Sequence, residues 1–402
     1  MRPAIFRGWR VVLGAFLVLM SGYGAIYSYA VFADDLAVSF GASRTSVSLV
    51  YALAGGGAFL VSAVAGPLAD RIGPRLPAVA GMLLTGLGLA LAGSAASFGE
   101  ACLSYGLLVG VGVGLAYVPA VAAVQRWFVA RRGLASGLAA SGIGFGTAMV
   151  PALANTLAAP SDWRAALLAL GLLVAVFGVT GALLLDASPE GLGLQPDGED
   201  PGDAISAGAT AVVEELTLAT VWRSRRFGQL YLGVLLVSFP VSLPFAHLPR
   251  FAQDAGLSRT EALGLLELIG IGSILGRVLI GALADRTGRE VTFLACCAGL
   301  SAATLAWSVA APPGLAAFAL VFGAFYGGFV VLLPAFVVDL FGRRSVAGII
   351  GLLYTSRGLG LLVAPPAVAL AAAMSGDGAW PLAASAVLGL AGTALLFRTA
   401  FR

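Results

Sequence analysis

Twelve apolar runs, each long enough to cross a bilayer as a helix, account for most of this chain: 10–33, 46–69, 76–96, 101–125, 133–157, 165–185, 227–249, 260–283, 291–310, 314–338, 346–373 and 379–397. A transmembrane helix needs about 20 apolar residues, because lipid offers its backbone no hydrogen-bond partner. The runs are too long, and alternate too little, for barrel strands. The expected fold is therefore all-α and membrane-integral, with twelve transmembrane helices. Composition agrees: 59% of the residues are apolar and 11% are charged, against roughly 25% charged in a soluble domain.

The first run follows "MRPAIFRGWR" and extends to about Phe32 without a clear small-residue cleavage site. That is long for a signal peptide and reads as an uncleaved first span. One long polar stretch, "DASPEGLGLQPDGEDPGDAISAG" (186–208), separates the sixth run from the seventh. Its Pro, Gly and acidic content predicts a flexible linker. The following "EELTLATVWRSRRF" reads either as a short surface helix, with Leu216, Leu218 and Trp222 as apolar contacts, or as plain linker. The expected organisation is a six-helix bundle over 1–185, a linker over 186–226 and a second six-helix bundle over 227–402.

All 23 basic residues are arginines. With twelve spans and both termini on one side, seventeen arginines fall on that side and four on the other. Arginine accumulates on the cytoplasmic side of membrane proteins, so both termini are expected to be cytoplasmic and the location an inner (plasma) membrane. Absence of lysine excludes Schiff-base chemistry and the lysine-dependent phosphate loop. His247 is the only histidine, so no site with two histidine ligands is possible. The three cysteines lie in apolar segments without a C-x-x-C pair, and no metal, cofactor or disulfide framework is expected. A net charge of +3 gives no reason to expect a nucleic-acid partner.

The chain repeats itself. "GPLADRIGPR" (66–75) returns as "GALADRTGRE" (281–290), and "GLAASGIGFGTAMVP" (137–151) as "GLLYTSRGLGLLVAP" (351–365). A nearly constant offset implies two halves of one design, with a substrate near mid-membrane between them.

G-x-L-A-D-R-x-G-R between the second and third spans of each half resembles the signature loop of the major facilitator superfamily (MFS). Within it, "RWFVARRGLASGLAASGIGFGTAMVP" (126–151), "GWRVVLGAF" (8–16) and "HLPRFAQDAGLS" (247–258) followed by Arg277 are similar to the monocarboxylate transporter and oxalate/formate antiporter group, bacterial members included. The resemblance implies a conformational lock at Asp70, Arg71, Asp285 and Arg286. Physically, such an aspartate accepts from helix N-terminal amides or pairs with arginines across an interface.

Two arginines fall inside spans. Arg277 lies eight residues before Asp285, about 12 Å along a helix, and Arg357 lies about 18 Å into its own span. Charges at that depth face a wet cavity or a partner. Gly270, Ser273, Arg277 and Gly281 share one small-residue face, which leaves room for a ligand. A guanidinium binds a carboxylate through two parallel hydrogen bonds. In the resembled group the eighth-span arginine anchors the substrate carboxylate, and Arg277 occupies that place. Arg357 stands where the oxalate/formate exchangers have a second cation. The alternatives are ion pairs of either arginine with Glu267. Among the aromatics, Tyr27, Tyr326 and Tyr117 are candidates to complete a carboxylate cage. Ser273 replaces an aspartate of the animal monocarboxylate transporters, which puts their proton-coupling scheme in doubt. His247 and Glu267 remain as proton-coupling candidates.

The expected function is secondary transport of a small organic anion by alternating access, first as symport of a proton with a monocarboxylate such as lactate. The second reading is oxalate/formate-like carboxylate exchange, and the rival from another class is a non-transporting sensor on a transporter fold. The expected partners are a small carboxylate, a proton or counter-anion and the lipid bilayer, with the chain a monomer. Catalytic groups are too scarce to indicate an enzyme.

Overall fold

The computed structural model describes residues 6–158, 162–198, 216–309, 312–375 and 379–401. Among these, twelve helices are long and apolar enough to cross a membrane. Spans 1–6 are Gly8–Phe40, Arg44–Ile72, Arg75–Gly93, Phe98–Trp127, Arg132–Ala158 and Trp163–Leu183. Spans 7–12 are Arg225–Asp254, Arg259–Thr287, Arg289–Trp307, Leu315–Phe341, Val346–Ser375 and Ala379–Ala400. Large apolar side chains such as Leu83, Leu172, Leu279 and Leu283 remain half or more exposed, as a surface facing lipid requires.

Span 1 runs past its expected end and breaks at Ser28, between helices Gly8–Tyr27 and Tyr29–Phe40. Asp34 and Asp35, beyond the expected end of the first span at residue 33, sit on that helical extension. Tyr105 of span 4 donates to the Ala25 carbonyl at 2.9 Å and lies 2.8 Å from the Ser28 hydroxyl, so the break leaves that carbonyl satisfied. Tyr105 itself stands in a π-helical stretch, Cys102–Leu108.

The two halves meet where span 2 packs along span 11 and span 5 along span 8. Glycine permits both approaches. A Cβ on Gly137 would overlap the carbonyl oxygen of Arg277, and one on Gly351 would overlap that of Ser62. This is the small-residue packing that brings helices together in lipid, where water supplies no hydrophobic drive. Contact is tightest at the arginine-rich face, where span 1 begins and span 12 ends. Toward the opposite face the halves part. Gly55, Gly264 and Gly270 look onto open space, and span 11 is largely exposed beyond Leu361.

The described start of the linker is fastened down, contrary to the flexible segment expected from its composition. Asp186 accepts from Arg7 at 3.1 Å and Arg75 at 2.6 Å. Glu190 pairs with Arg343 at 3.3 Å. Asp197, at φ 59°, accepts from the Val129 and Ala130 amides at 2.8 Å each. Residues 199–215 lie outside the described residues. Beyond them Leu218–Trp222 is a short helix, with Val221 buried, Leu218 against Gly348 and Trp222 exposed.

Candidate substrate site and interface of the two halves

Arg277 sits where spans 5, 8 and 10 cross. A Cβ on Gly327 of span 10 would overlap the Ser273 carbonyl, so span 10 lies hard against span 8 one turn before Arg277. On the other side, Arg277 Nη1 stands 3.2 Å from where a Cβ on Gly144 would be. The helix pair thus leaves the guanidinium space and fixes its stem.

Arg277 is 4% exposed. Its Nε has no hydrogen-bond partner among the described residues, and neither has the buried hydroxyl of Ser273, one turn away. No described acid lies within ion-pair distance. The strongest electrostatic neighbours of Arg277 are the phenols of Tyr326, Tyr117, Tyr27 and Tyr23. A buried charge left without a counter-ion costs several kcal/mol, roughly, even after relaxation. The site therefore has an unmet demand for negative charge.

Arg357 is also 4% exposed, but its charge is met differently. Its Cζ lies 5.5 Å from the ring centre of Phe59, 5.2 Å from Phe329 and 5.5 Å from Tyr354. These are cation–π distances, worth about 2 kcal/mol when desolvated. Phe59 belongs to span 2, so the cage closes across the two halves. Beside it the Tyr117 and Tyr354 rings stack at 5.4 Å with their hydroxyls 3.4 Å apart. Tyr117 also meets Tyr23 edge-on at 5.3 Å. Tyr27 packs near Tyr23 and Tyr51 at 6.5 and 6.0 Å. Tyr326 lies against Phe245 at 5.3 Å. The two arginines share Tyr326, Tyr117 and Tyr23 as electrostatic neighbours, so they border one aromatic-lined region.

Glu267 is exposed and pairs with neither arginine, so both ion pairs weighed from the sequence are absent. His247 is half-buried, with Nε2 3.1 Å from the Pro365 carbonyl of span 11. Neither is among the strongest electrostatic neighbours of Arg277 or Arg357.

At the arginine-rich face the two signature aspartates do the same thing in each half. Asp70, ending span 2, accepts from the Ala347 and Gly348 amides at the start of span 11, at 3.2 and 2.7 Å. Asp285, ending span 8, accepts from the Gly133 and Leu134 amides at the start of span 5, at 2.8 and 2.9 Å. Each carboxylate thus caps a helix of the other half, where the helix N-terminus favours negative charge. The cations are not those the motif suggested. Arg71 and Arg286 are exposed and make no ion pair with a described residue. Arg126 pairs with Asp70, Arg132 with Asp339 at 2.6 Å, and Arg289 with Asp339 at 2.9 Å. Asp339, at the end of span 10, is the acid that the motif does not contain. Its place at the end of an apolar run, opposite the paired arginines of the 131–132 turn, was the available signal.

A family model described as Major Facilitator Superfamily matches residues 11–365, with a second match over 270–401. The chain belongs to that superfamily. Monocarboxylate transporter 13 of Bos taurus is 30% identical over 362 residues, covering 89% of this chain and 81% of that one. Monocarboxylate transporter 12-B of Danio rerio is 27% identical over 387 residues, covering 89% and 80%. Among solved structures, the proton:xylose symporter XylE bound to 6-bromo-6-deoxy-D-glucose aligns with a TM-score of 0.76 at 14% identity, over 98% of this chain and 96% of that one. The human organic anion transporter MFSD10 aligns with a TM-score of 0.71 at 18% identity, over 97% and 99%. These structures share the MFS fold: twelve helices in two pseudo-symmetric halves. The relatives are transporters, not enzymes, and the chain is a multi-pass membrane protein.

Proposed function

We propose that this MFS protein transports a small organic monocarboxylate, whose carboxylate supplies the counter-charge that Arg277 lacks. The observation carrying this reading is the buried Arg277 guanidinium, faced by phenols and by no described acid. A carboxylate there accepts two parallel N–H bonds from it. Ser273, Tyr27, Tyr117 and Tyr326 complete the cage, and the rings limit the size of the acid. Relatives named as monocarboxylate transporters favour the same substrate class. Arg357 is engaged by three rings, which favours one carboxylate over two.

Alternating access follows from the same geometry. The halves are fastened at the arginine-rich face and parted at the other, so the opposite state requires the two aspartate caps to release. With the termini cytoplasmic, this conformation takes substrate from outside.

Coupling has two readings. Proton symport needs a group that takes up a proton as the anion leaves, and His247 and Glu267 are the candidates. Both stand apart from Arg277, and Ser273 occupies the place where animal relatives carry an acid. An empty carrier would then swing with a bare buried cation. That favours exchange of one carboxylate for another, with symport second. Uptake of labelled lactate, acetate and oxalate into proteoliposomes separates them: preloaded anion drives exchange, whereas an imposed pH gradient drives symport. Failure of all three acids to enter under either drive would refute the substrate class.

A further inference from the structure

At the arginine-rich face lies a cavity of about 630 Å³ whose lining includes neither Arg277 nor the tyrosines around it. Arg71 and Arg126 of one half and Arg343 and Arg344 of the other line it, with Asp70 and Glu190 as the acids. Arg126 is taken up by Asp70, and Arg343 by Glu190 and the Arg126 carbonyl. Arg71 and Arg344 are left, one on each side of the interface, with no ion pair to a described residue. The cavity is therefore polar, with two permanent cations that no described acid pairs.

The repeat shows what the same backbone does elsewhere. The turn before span 5 (Val129–Arg131) corresponds, 214 residues on, to the turn before span 11 (Arg343–Ser345). Val129 and Ala130 give their amides to the Asp197 carboxylate at 2.8 Å each, and Arg131 gives its own at 3.3 Å. At Arg343, Arg344 and Ser345 no described carboxylate takes that place, and the turn borders the cavity. One copy of the turn binds an anion belonging to the chain; the other borders a cavity with two guanidiniums unpaired among the described residues.

We propose that this chamber binds a phosphate-type oxyanion bearing more than one charge, clamped between Arg71 of one half and Arg344 of the other. Guanidiniums match phosphate oxygens in pairs. A ligand bridging both halves holds the arginine-rich end closed, which makes the chamber a brake on the transport cycle. The same chemistry is offered by a soluble phosphate compound and by the headgroup of an anionic lipid.

Thermal unfolding of the full chain tests this in two arms. The first titrates inorganic pyrophosphate onto protein in neutral detergent. The second compares nanodiscs of phosphatidylcholine with nanodiscs containing phosphatidylglycerol. A saturable rise in Tm with pyrophosphate identifies a soluble ligand, and a rise confined to phosphatidylglycerol discs identifies lipid. In either case the R71Q/R344Q double variant should weaken binding at least tenfold or abolish the lipid-dependent rise, while R286Q, at the repeat-related arginine, should not. Both substituted side chains are exposed, so the unliganded Tm should be unchanged. No stabilisation in either arm, or stabilisation that persists in R71Q/R344Q, would overturn the proposal.

Discussion

Arg277 and Ser62 occupy equivalent positions in the two halves, 215 residues apart, and each offers its carbonyl to a glycine of a crossing helix, Gly137 and Gly351 respectively. The backbone packing is symmetric while the chemistry is not: one position carries a buried cation and the other a hydroxyl that donates to its own helix, at the Ala58 carbonyl. The same holds for Arg357, whose counterpart 214 residues earlier is Ile143. Both buried intramembrane arginines thus belong to the second half.

Gly144, in the other half, faces the charged end of Arg277. A Cβ there would overlap Ile274 Cγ1 and stand 3.2 Å from Arg277 Nη1. Gly144→Val should therefore displace the guanidinium and lower kcat/KM for carboxylate uptake by at least tenfold, while Gly144→Ala should cost less. Uptake assays on reconstituted variants check this order.

The aspartate caps join the halves, so their removal should loosen one end only. Asp70→Ala and Asp285→Ala should each destabilise the closed arginine-rich face by about 1 kcal/mol, the usual worth of an N-cap. Spin-label distances across that face should lengthen in a larger fraction of molecules. Distances across the opposite face should shorten in the same fraction.

The cage around Arg357 makes it a tie between halves in this conformation. Its coupling to Phe59, measured by a double-mutant cycle with Arg357→Met and Phe59→Leu in thermal unfolding, should be about 1–2 kcal/mol. Lactate uptake by Arg357→Met should retain substrate affinity within a few-fold. A loss of affinity as large as that expected for Arg277 would place Arg357 on the substrate.

The fold was legible because lipid imposes one rule, about 20 apolar residues per helix, and the chain obeys it twelve times. The halves were legible from "LADR" at Leu68–Arg71 and Leu283–Arg286. Arg277 was legible because a permanent charge in an apolar run has few uses. Its surroundings were less so. Phe59 and Phe329 look like any apolar residue until helices far apart in sequence bring both to Arg357. Glu267 lies inside an apolar run, yet its side chain is exposed. The letters of the motif pointed to Arg71 and Arg286, but Arg126, Arg132 and Arg289 form the ion pairs, because they rise from neighbouring helix ends that face the aspartates. The break at Ser28 had no sequence mark, since the Tyr105 hydroxyl that satisfies it comes from another span.

Reconstituted Arg277→Lys, with folding verified by its thermal unfolding, tests the substrate site most directly. Lysine keeps the charge but loses the paired donors. Losing a charge-assisted hydrogen bond costs about 1.5–3 kcal/mol, so kcat/KM for monocarboxylate uptake should fall about ten- to a hundredfold. Uptake equal to that of the unmodified protein would mean that the substrate carboxylate does not meet Arg277.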